Sequence, residues 1–479
     1  MTDPLQLAVF FGLTVLIGLA TWWKCRHSGD RSTDSNKEYF LASGGLSWFF
    51  VAGSITLTNL STDQLVGMNG NQMLLIAWWE LAAVVGLIIL AFVFIPIYYR
   101  YECTTTTELL EKRYGSKHIR ATIAGLFLLG NVFIYLPIML YTGSLFMKSM
   151  FGLELPLIVI ATLFAIVGAA YAIFGGLRAV AVSDTYSGIG LLTMALIVVY
   201  LSLAAIDFDL SGIPADRLTL IGDSASPIPW HTLLTGMIFI QIFYWSTNQT
   251  ITQRAMAAPN VAEARKGVLT AAGIRLLIVP AIIAIPGIAA FKLYGDIGDA
   301  AYGQLVGDLL PGWMSGAFAA MMAAAVLTSF NSVLNSSATL YVCDLHEKYI
   351  DATPNVHRMN TVISLGFVVT AIALVPVYSG ADSIINLVQQ LNGLLSMPIL
   401  SAFITGLVFR NVDARAVILS VVLGTGLYAT FTFVAGPPIH YIHQMLIVLI
   451  FCVVSALALN FTMYGKRATL SRREVLLGT

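Results

Sequence analysis

Residues 325–344 read AVLTSFNSVLNSSATLYVCD. The run is apolar and long enough for a helix. It nevertheless carries Thr328, Ser329, Ser332, Ser336 and Ser337, with Asn331 and Asn335 among them. A helix facing lipid has no use for so many hydroxyls and amides. In hydrocarbon, polar side chains turn to the bundle interior, where they bond another helix, an ion or a solute. The adjacent hydroxyls of Thr328 and Ser329 are hard oxygen donors of the kind a small cation takes.

The rest of the chain supplies the hydrocarbon context. Of 479 residues, 58% are hydrophobic and only 10% charged, against about 25% charged in a soluble domain. Apolar runs of about 20 residues recur along the whole length, the length that crosses a bilayer. No polar stretch exceeds a loop, so the expected fold class is an all-α polytopic membrane protein in one transmembrane domain, residues 1–464. A short cytoplasmic tail, 465–479, follows it. The 25 basic and 25 acidic residues cancel, which implies neither nucleic acid nor an anionic surface as partner. No obligatory protein partner is implied either. Cys25, Cys103, Cys343 and Cys452 stand singly, which argues against a disulfide framework or a thiolate metal site. The seven histidines show no metal-ligand spacing. The first apolar run, Leu5 to Trp23, follows Asp3 rather than a basic segment and is read as a retained helix.

About thirteen spans are expected, near 5–23, 47–69, 73–99, 119–147, 155–175, 179–205, 231–250, 267–291, 312–343, 358–378, 383–409, 414–435 and 440–464. With the N-terminus outside, 21 Lys and Arg fall in inside loops, among them Arg31, Lys37, Arg178, Arg472 and Arg473. Only Lys148, Arg217 and Lys292 fall outside, and Arg275 lies within a span. Basic residues mark cytoplasmic loops, so the C-terminus is expected inside. The compactness of the chain points to a bacterial inner membrane.

The second span contains TLTNLSTDQ, Thr56 to Gln64, with seven polar residues in mid-span. Such side chains compete for backbone hydrogen bonds and favour local unwinding. Unwound backbone survives at membrane depth only where it lines a cavity or binds something. A broken helix is therefore expected at about Leu57 to Asp63.

Four segments carry a resemblance. They are YFLASGGLSWFFVAGSITLTNLSTDQLVGMNG from Tyr39, YAIFGGLRAVAVSDTYSG from Tyr171, FYWSTNQTITQRAMAAPNVAEARKG from Phe243 and LTSFNSVLNSSATLYVCD from Leu327. In this order they resemble the signatures of the sodium:solute symporters, and within them the sodium–sugar branch. The likeness covers roughly residues 5–464. It implies a LeuT-type fold of two inverted five-helix repeats, about 47–205 and 231–409. One helix precedes the repeats and two follow.

The resemblance also implies sites. Sodium would be held by the backbone carbonyls of Leu57, Leu60 and Ala325 and by the hydroxyls of Thr328 and Ser329. The chemistry agrees, because unwound carbonyls and half-helix ends suit a hard monovalent cation. The bland alternative is that Thr328 and Ser329 bond the carbonyls of their own helix. Asp184 matches a position on the inner sodium path, or else it is a helix-end carboxylate paired with Arg178. Gln64, Glu80, Gln241, Arg275 and Gln389 match sugar-contacting positions, and Tyr244 matches an aromatic that caps the sugar from the inside. Glu80 and Arg275 also read as a buried ion pair, and Gln241 and Gln389 as interhelical glue.

The expected function is thus sodium-coupled import of a monosaccharide by alternating access, with Na⁺ and the sugar as small partners in a lipid bilayer. Where the branch has Lys this chain has Arg275, whose planar fork suits carboxylates. A sugar acid or other small organic anion, a polyol or an amino acid are the alternatives. A non-transporting sensor and an intramembrane enzyme using Asp63 with Glu80 are the rivals of other classes. No G-x-x-x-x-G-K-[ST] motif is present, so ATP is not the expected energy source.

Overall fold

The computed structural model describes residues 4–26, 41, 44–380 and 383–471. Arg31, Lys37, Arg472, Arg473 and the opening of the Tyr39 motif lie outside them, as does the side chain of Arg178. Helix α1 (Pro4–Arg26) precedes a broken pair, α2 (Trp48–Asn59) and α3 (Thr62–Gly70). Spans α4 (Leu74–Arg100) and α6 (Lys117–Phe151) flank the short helix α5 (Thr106–Tyr114). Helix α7 runs from Leu157 to Ala205. A second interrupted helix follows, α8 (Gly236–Ile242) with a wider π turn over Phe243–Thr247, then α9 (Gln249–Met256).

Helices α10 (Val261–Leu277), α11 (Val279–Tyr294) and α12 (Ala301–Leu309) lead to the long span α13 (Gly312–Tyr349). Then come α14 (Val356–Tyr378), α15 (Ile384–Val408), α16 (Ala414–Ala435) and α17 (Tyr441–Tyr464). A two-residue antiparallel pairing of Phe409–Arg410 with Thr469–Leu470 ties the end of α15 to the segment after α17.

Ten helices among the described residues are long and apolar enough to cross a membrane. The remaining apolar segments of the sequence are the two interrupted helices and Leu157–Ala170. The expected spans 155–175 and 179–205 fall in a single run of helical hydrogen bonding, Leu157–Ala205, with no proline to interrupt it. Its packing nevertheless follows the expected pair of spans: Gly168 packs on Phe330 and Asn331, Gly190 packs on Met321 and Asp184 faces Thr328, so both halves lie along the same stretch of α13.

Polarity sorts the helices. Helix α1 is largely lipid-facing, with Phe11, Leu16 and Leu19 exposed. Span α13 is the most deeply buried, and every residue from Thr328 to Leu340 is inside. It packs on α7, α1 and α6. Its hydroxyls and amides are thus directed inward, as a polar stripe in hydrocarbon demands.

Candidate ion and substrate site

The first break falls at Leu60 and Ser61. Leu60 has φ −79° and ψ 75°, and Ser61 is extended. The last carbonyls of a helix have no partner further along it, and here they are at the centre of the bundle. The Thr56 carbonyl accepts from the Leu60 amide at 3.0 Å, and the Asn59 carbonyl from the Ser61 amide at 2.9 Å. The Leu57 carbonyl turns instead to α13, where the Ser329 hydroxyl donates to it at 3.4 Å. Thr328 Oγ1 donates to the Ala325 carbonyl at 3.3 Å. Four of the five expected sodium ligands thus form two hydrogen-bonded pairs on neighbouring residues of α13, and Leu60, fully buried, stands at the break. Ser329 bonds across to the broken helix rather than back along its own.

Asp184 lies just behind this cluster, on α7. A Cβ at Gly53 would sit 2.5 Å from Thr185 Oγ1, so glycine allows α2 and α7 to touch there. The next residue, Ser54, then donates to Asp184 Oδ2 at 2.5 Å. The Thr58 and Thr328 hydroxyls face the same carboxylate. Its cationic neighbour is Arg254 of α9, 4.0 Å away, whose Nε donates to Ser54 Oγ at 2.8 Å. The expected partner Arg178 lies outside the described side chains. Asp184 thus adjoins the hydroxyl cluster through Thr328.

The second break was not anticipated from the sequence. After the π turn, Asn248 is extended (φ −69°, ψ 125°), and its side chain caps α9 by accepting from the Thr250 amide at 2.9 Å. The Asn-Gln-Thr triplet at 248–250 was the available signal, since Asn is a preferred N-cap.

A polar cavity lies between the two breaks. Gln64, Glu80, Gln241, Tyr244 and Gln389 all line it, with Asn59, Asp63, Trp79, Tyr135, Trp245 and Asn392 beside them. Gln64 Nε2 donates to Glu80 Oε1 at 3.0 Å. Gln241 donates to the Trp79 carbonyl at 3.0 Å and accepts from Trp245 Nε1 at 2.9 Å. Tyr244 Oη accepts from Asn59 Nδ2 at 3.0 Å, so the aromatic is tied to the first break from the second. Arg275 stands behind the lining of the closed cavity, paired with Glu80 and fully buried. The ion-pair reading of those two residues holds.

Sequence reasoning missed Tyr135 and Asn392, which hydrogen-bond each other across α6 and α15. Both look like ordinary packing residues in a string of letters. The enclosed space is about 50 Å³, room for a few waters. A monosaccharide-sized solute enters only when the walls separate.

A profile of the sodium:solute symporter family matches residues 39–424. The chain belongs to the sodium:solute symporter family. Among its relatives is the uncharacterized symporter YidK of Escherichia coli (strain K12), 34% identical over 96% of this chain and 84% of that one. The sodium/glucose cotransporter of Vibrio parahaemolyticus is 29% identical over 94% and 89%. The sodium/myo-inositol cotransporter 2 of Homo sapiens is 27% identical over 88% and 68%. The fold of this symporter superposes on a Na⁺-coupled sialic acid symporter in a substrate-bound outward-open state, with a TM-score of 0.82 and 18% identity over 96% and 98% of the two chains. MhsT in complex with L-phenylalanine gives 0.53 at 15% identity, over 85% and 97%. The protein is a multi-pass, sodium-coupled transporter with a LeuT-type fold, and not an enzyme.

Proposed function

We propose that this symporter imports a monosaccharide together with Na⁺ by alternating access. The observation that carries the reading is the junction of two chemistries at the broken helices. Hydroxyls and carbonyls suited to a hard cation meet on one side of Leu60. A cavity walled by amides, carboxylates and aromatic faces opens on the other. A sugar offers hydroxyls that donate and accept, and an apolar C–H face that an aromatic covers. Binding sites fix such a ligand with a few placed polar groups. The glucose- and inositol-named relatives support a polyhydroxylated substrate, and a cyclic polyol with the same hydroxyl pattern is the second reading.

In this reading the Leu57, Leu60 and Ala325 carbonyls with the Thr328 and Ser329 hydroxyls hold Na⁺, and Asp184 receives it on its way inward. Sodium orders the break and so prepares the cavity, and by linkage the sugar tightens sodium in return. Tyr244 closes the cavity on the inner side. The basic loops face the cytoplasm, with the N-terminus outside and the tail after Tyr464 inside. One charge crossing 100 mV provides about 2.3 kcal/mol. A tenfold sodium gradient adds about 1.4 kcal/mol. Together they support a few-hundredfold accumulation.

The test is uptake of a labelled panel of sugars and polyols into proteoliposomes under an inward Na⁺ gradient, with an equal K⁺ gradient as control. Uptake of a monosaccharide driven by Na⁺ and not K⁺ is the expected result. Sodium-driven uptake of amino acids alone would move the substrate to another class.

A further inference from the structure

We infer that Glu80 is a specificity-determining residue that excludes anionic substrates by masking Arg275. The inference rests on the proposed sugar reading and narrows it to uncharged sugars. Arg275 comes off the last turn of α10. Its Nη1 is paired with Glu80 Oε2. Its Nη2 donates to the Thr56 carbonyl at 3.1 Å. The guanidinium lies 4.3 Å from the centre of the Trp245 ring, which covers one face. Both terminal nitrogens of the fork that would otherwise take a carboxylate are already engaged; Nε has no partner among the described residues but is buried, and the side chain is 0% exposed.

The charged residues among those described in the cavity wall are Asp63 and Glu80, both carboxylates. An incoming carboxylate meets two acidic side chains and no accessible cation, and a desolvated charge with no partner of opposite sign strongly disfavours the wrong ligand. A sugar hydroxyl, by contrast, donates to the same oxygens. Arg275 therefore does the opposite of what its appearance in the sequence suggests. It neutralises Glu80 from behind, so that Glu80 serves as an acceptor without leaving an unpaired buried charge.

The experiment compares galactose and glucose with galacturonate and glucuronate, each differing by one carboxylate. Sodium-driven uptake into proteoliposomes is measured for the unaltered chain and for Glu80→Gln, which keeps the shape and frees Arg275. The unaltered chain is expected to take up the neutral hexose and ignore the acid, even as a competitor in large excess. In Glu80→Gln the acid-to-hexose preference should rise by at least about tenfold. Galacturonate should also raise the melting temperature of the detergent-solubilised variant and leave the parent unmoved. In Glu80→Gln/Arg275→Gln, where both charges are gone, acid rejection should return. A folded Glu80→Gln with no gain for the acid overturns the inference. If that variant does not fold, the unaltered chain decides. Its uptake of the acid alongside the hexose overturns the exclusion while the sugar reading stands. Its indifference to hexoses, acids and polyols alike removes the sugar reading and the inference with it.

Discussion

Thr328 and Ser329 are adjacent on α13, yet their hydroxyls do different things. Thr328 bonds the Ala325 carbonyl of its own helix, and Ser329 reaches the Leu57 carbonyl across the bundle. Replacing both by Ala removes two oxygens from the proposed coordination shell and leaves the fold's larger contacts intact. The half-saturating sodium concentration for uptake should rise at least about tenfold, the equivalent of about 1.4 kcal/mol. A sodium titration of initial uptake rates measures it, and an unchanged midpoint would remove these hydroxyls from the site. The polar side chains of this site were legible one by one, because a Gln, Glu, Ser or Thr inside an apolar run needs a reason to be there. Five of the six expected substrate contacts meet at one cavity. Arg275 lies behind the lining of the closed cavity, a placement sequence does not show, since it tells that a charge is buried but not which side of its partner faces the cavity. Tyr135 and Asn392 gave no sign, because an aromatic or an amide in a helix is more often packing than contact.

Among the elements, the two interrupted helices differ in how visible they were. The first break announces itself as seven polar residues in nine. The second is hidden in FYWSTNQT, where the π turn over Phe243–Thr247 absorbs an extra residue before Asn248. Helix contacts that position Gln241 are equally silent in sequence. A Cβ at Gly86 of α4 would fall 2.3 Å from the Gln241 carbonyl oxygen, a distance no side chain tolerates. Gly86→Val should therefore push α4 from α8, lower the melting temperature of the purified protein by several degrees and reduce uptake more than tenfold, roughly the cost of overpacking a core. Full uptake and stability in that variant would show that the contact is soft.

Asp413 tests a second element junction. It caps α16 through the Arg415 amide at 3.0 Å and accepts from Lys466 Nζ at 2.8 Å. The Lys466 hydrogen bond holds its carboxyl below the usual value; burial opposes that, and the Arg415 amide and nearby charges assist. A depressed carboxyl contributes stability that is complete above its unfolded pKa of about 3.9 and is lost as pH falls through the lower folded value. Melting temperatures should thus decline below about pH 4, and Asp413→Asn should flatten that decline. An identical acid profile in both proteins would show that the junction adds nothing.

At the scale of the whole molecule, hydropathy located the apolar segments well, because the bilayer admits few alternatives to a helix. What it could not supply was the single run of helical hydrogen bonding from Leu157 to Ala205, which no proline interrupts. The proposed orientation rests on 21 basic residues against 3. A membrane-impermeant thiol reagent on intact cells should label Asp216→Cys and spare Lys466→Cys in a cysteine-free background. The reverse pattern would invert the reading of inside and outside.

The central claim is that ion and solute move together through the breaks at Leu60 and Asn248. It is tested most directly in proteoliposomes with equal sodium on both sides, by imposing an inward gradient of the transported hexose and following radioactive sodium. The account predicts that the hexose pulls sodium in against no gradient of its own, and that the Thr328→Ala/Ser329→Ala protein does not do so. Hexose entry with no accompanying sodium movement in the unaltered chain would contradict it.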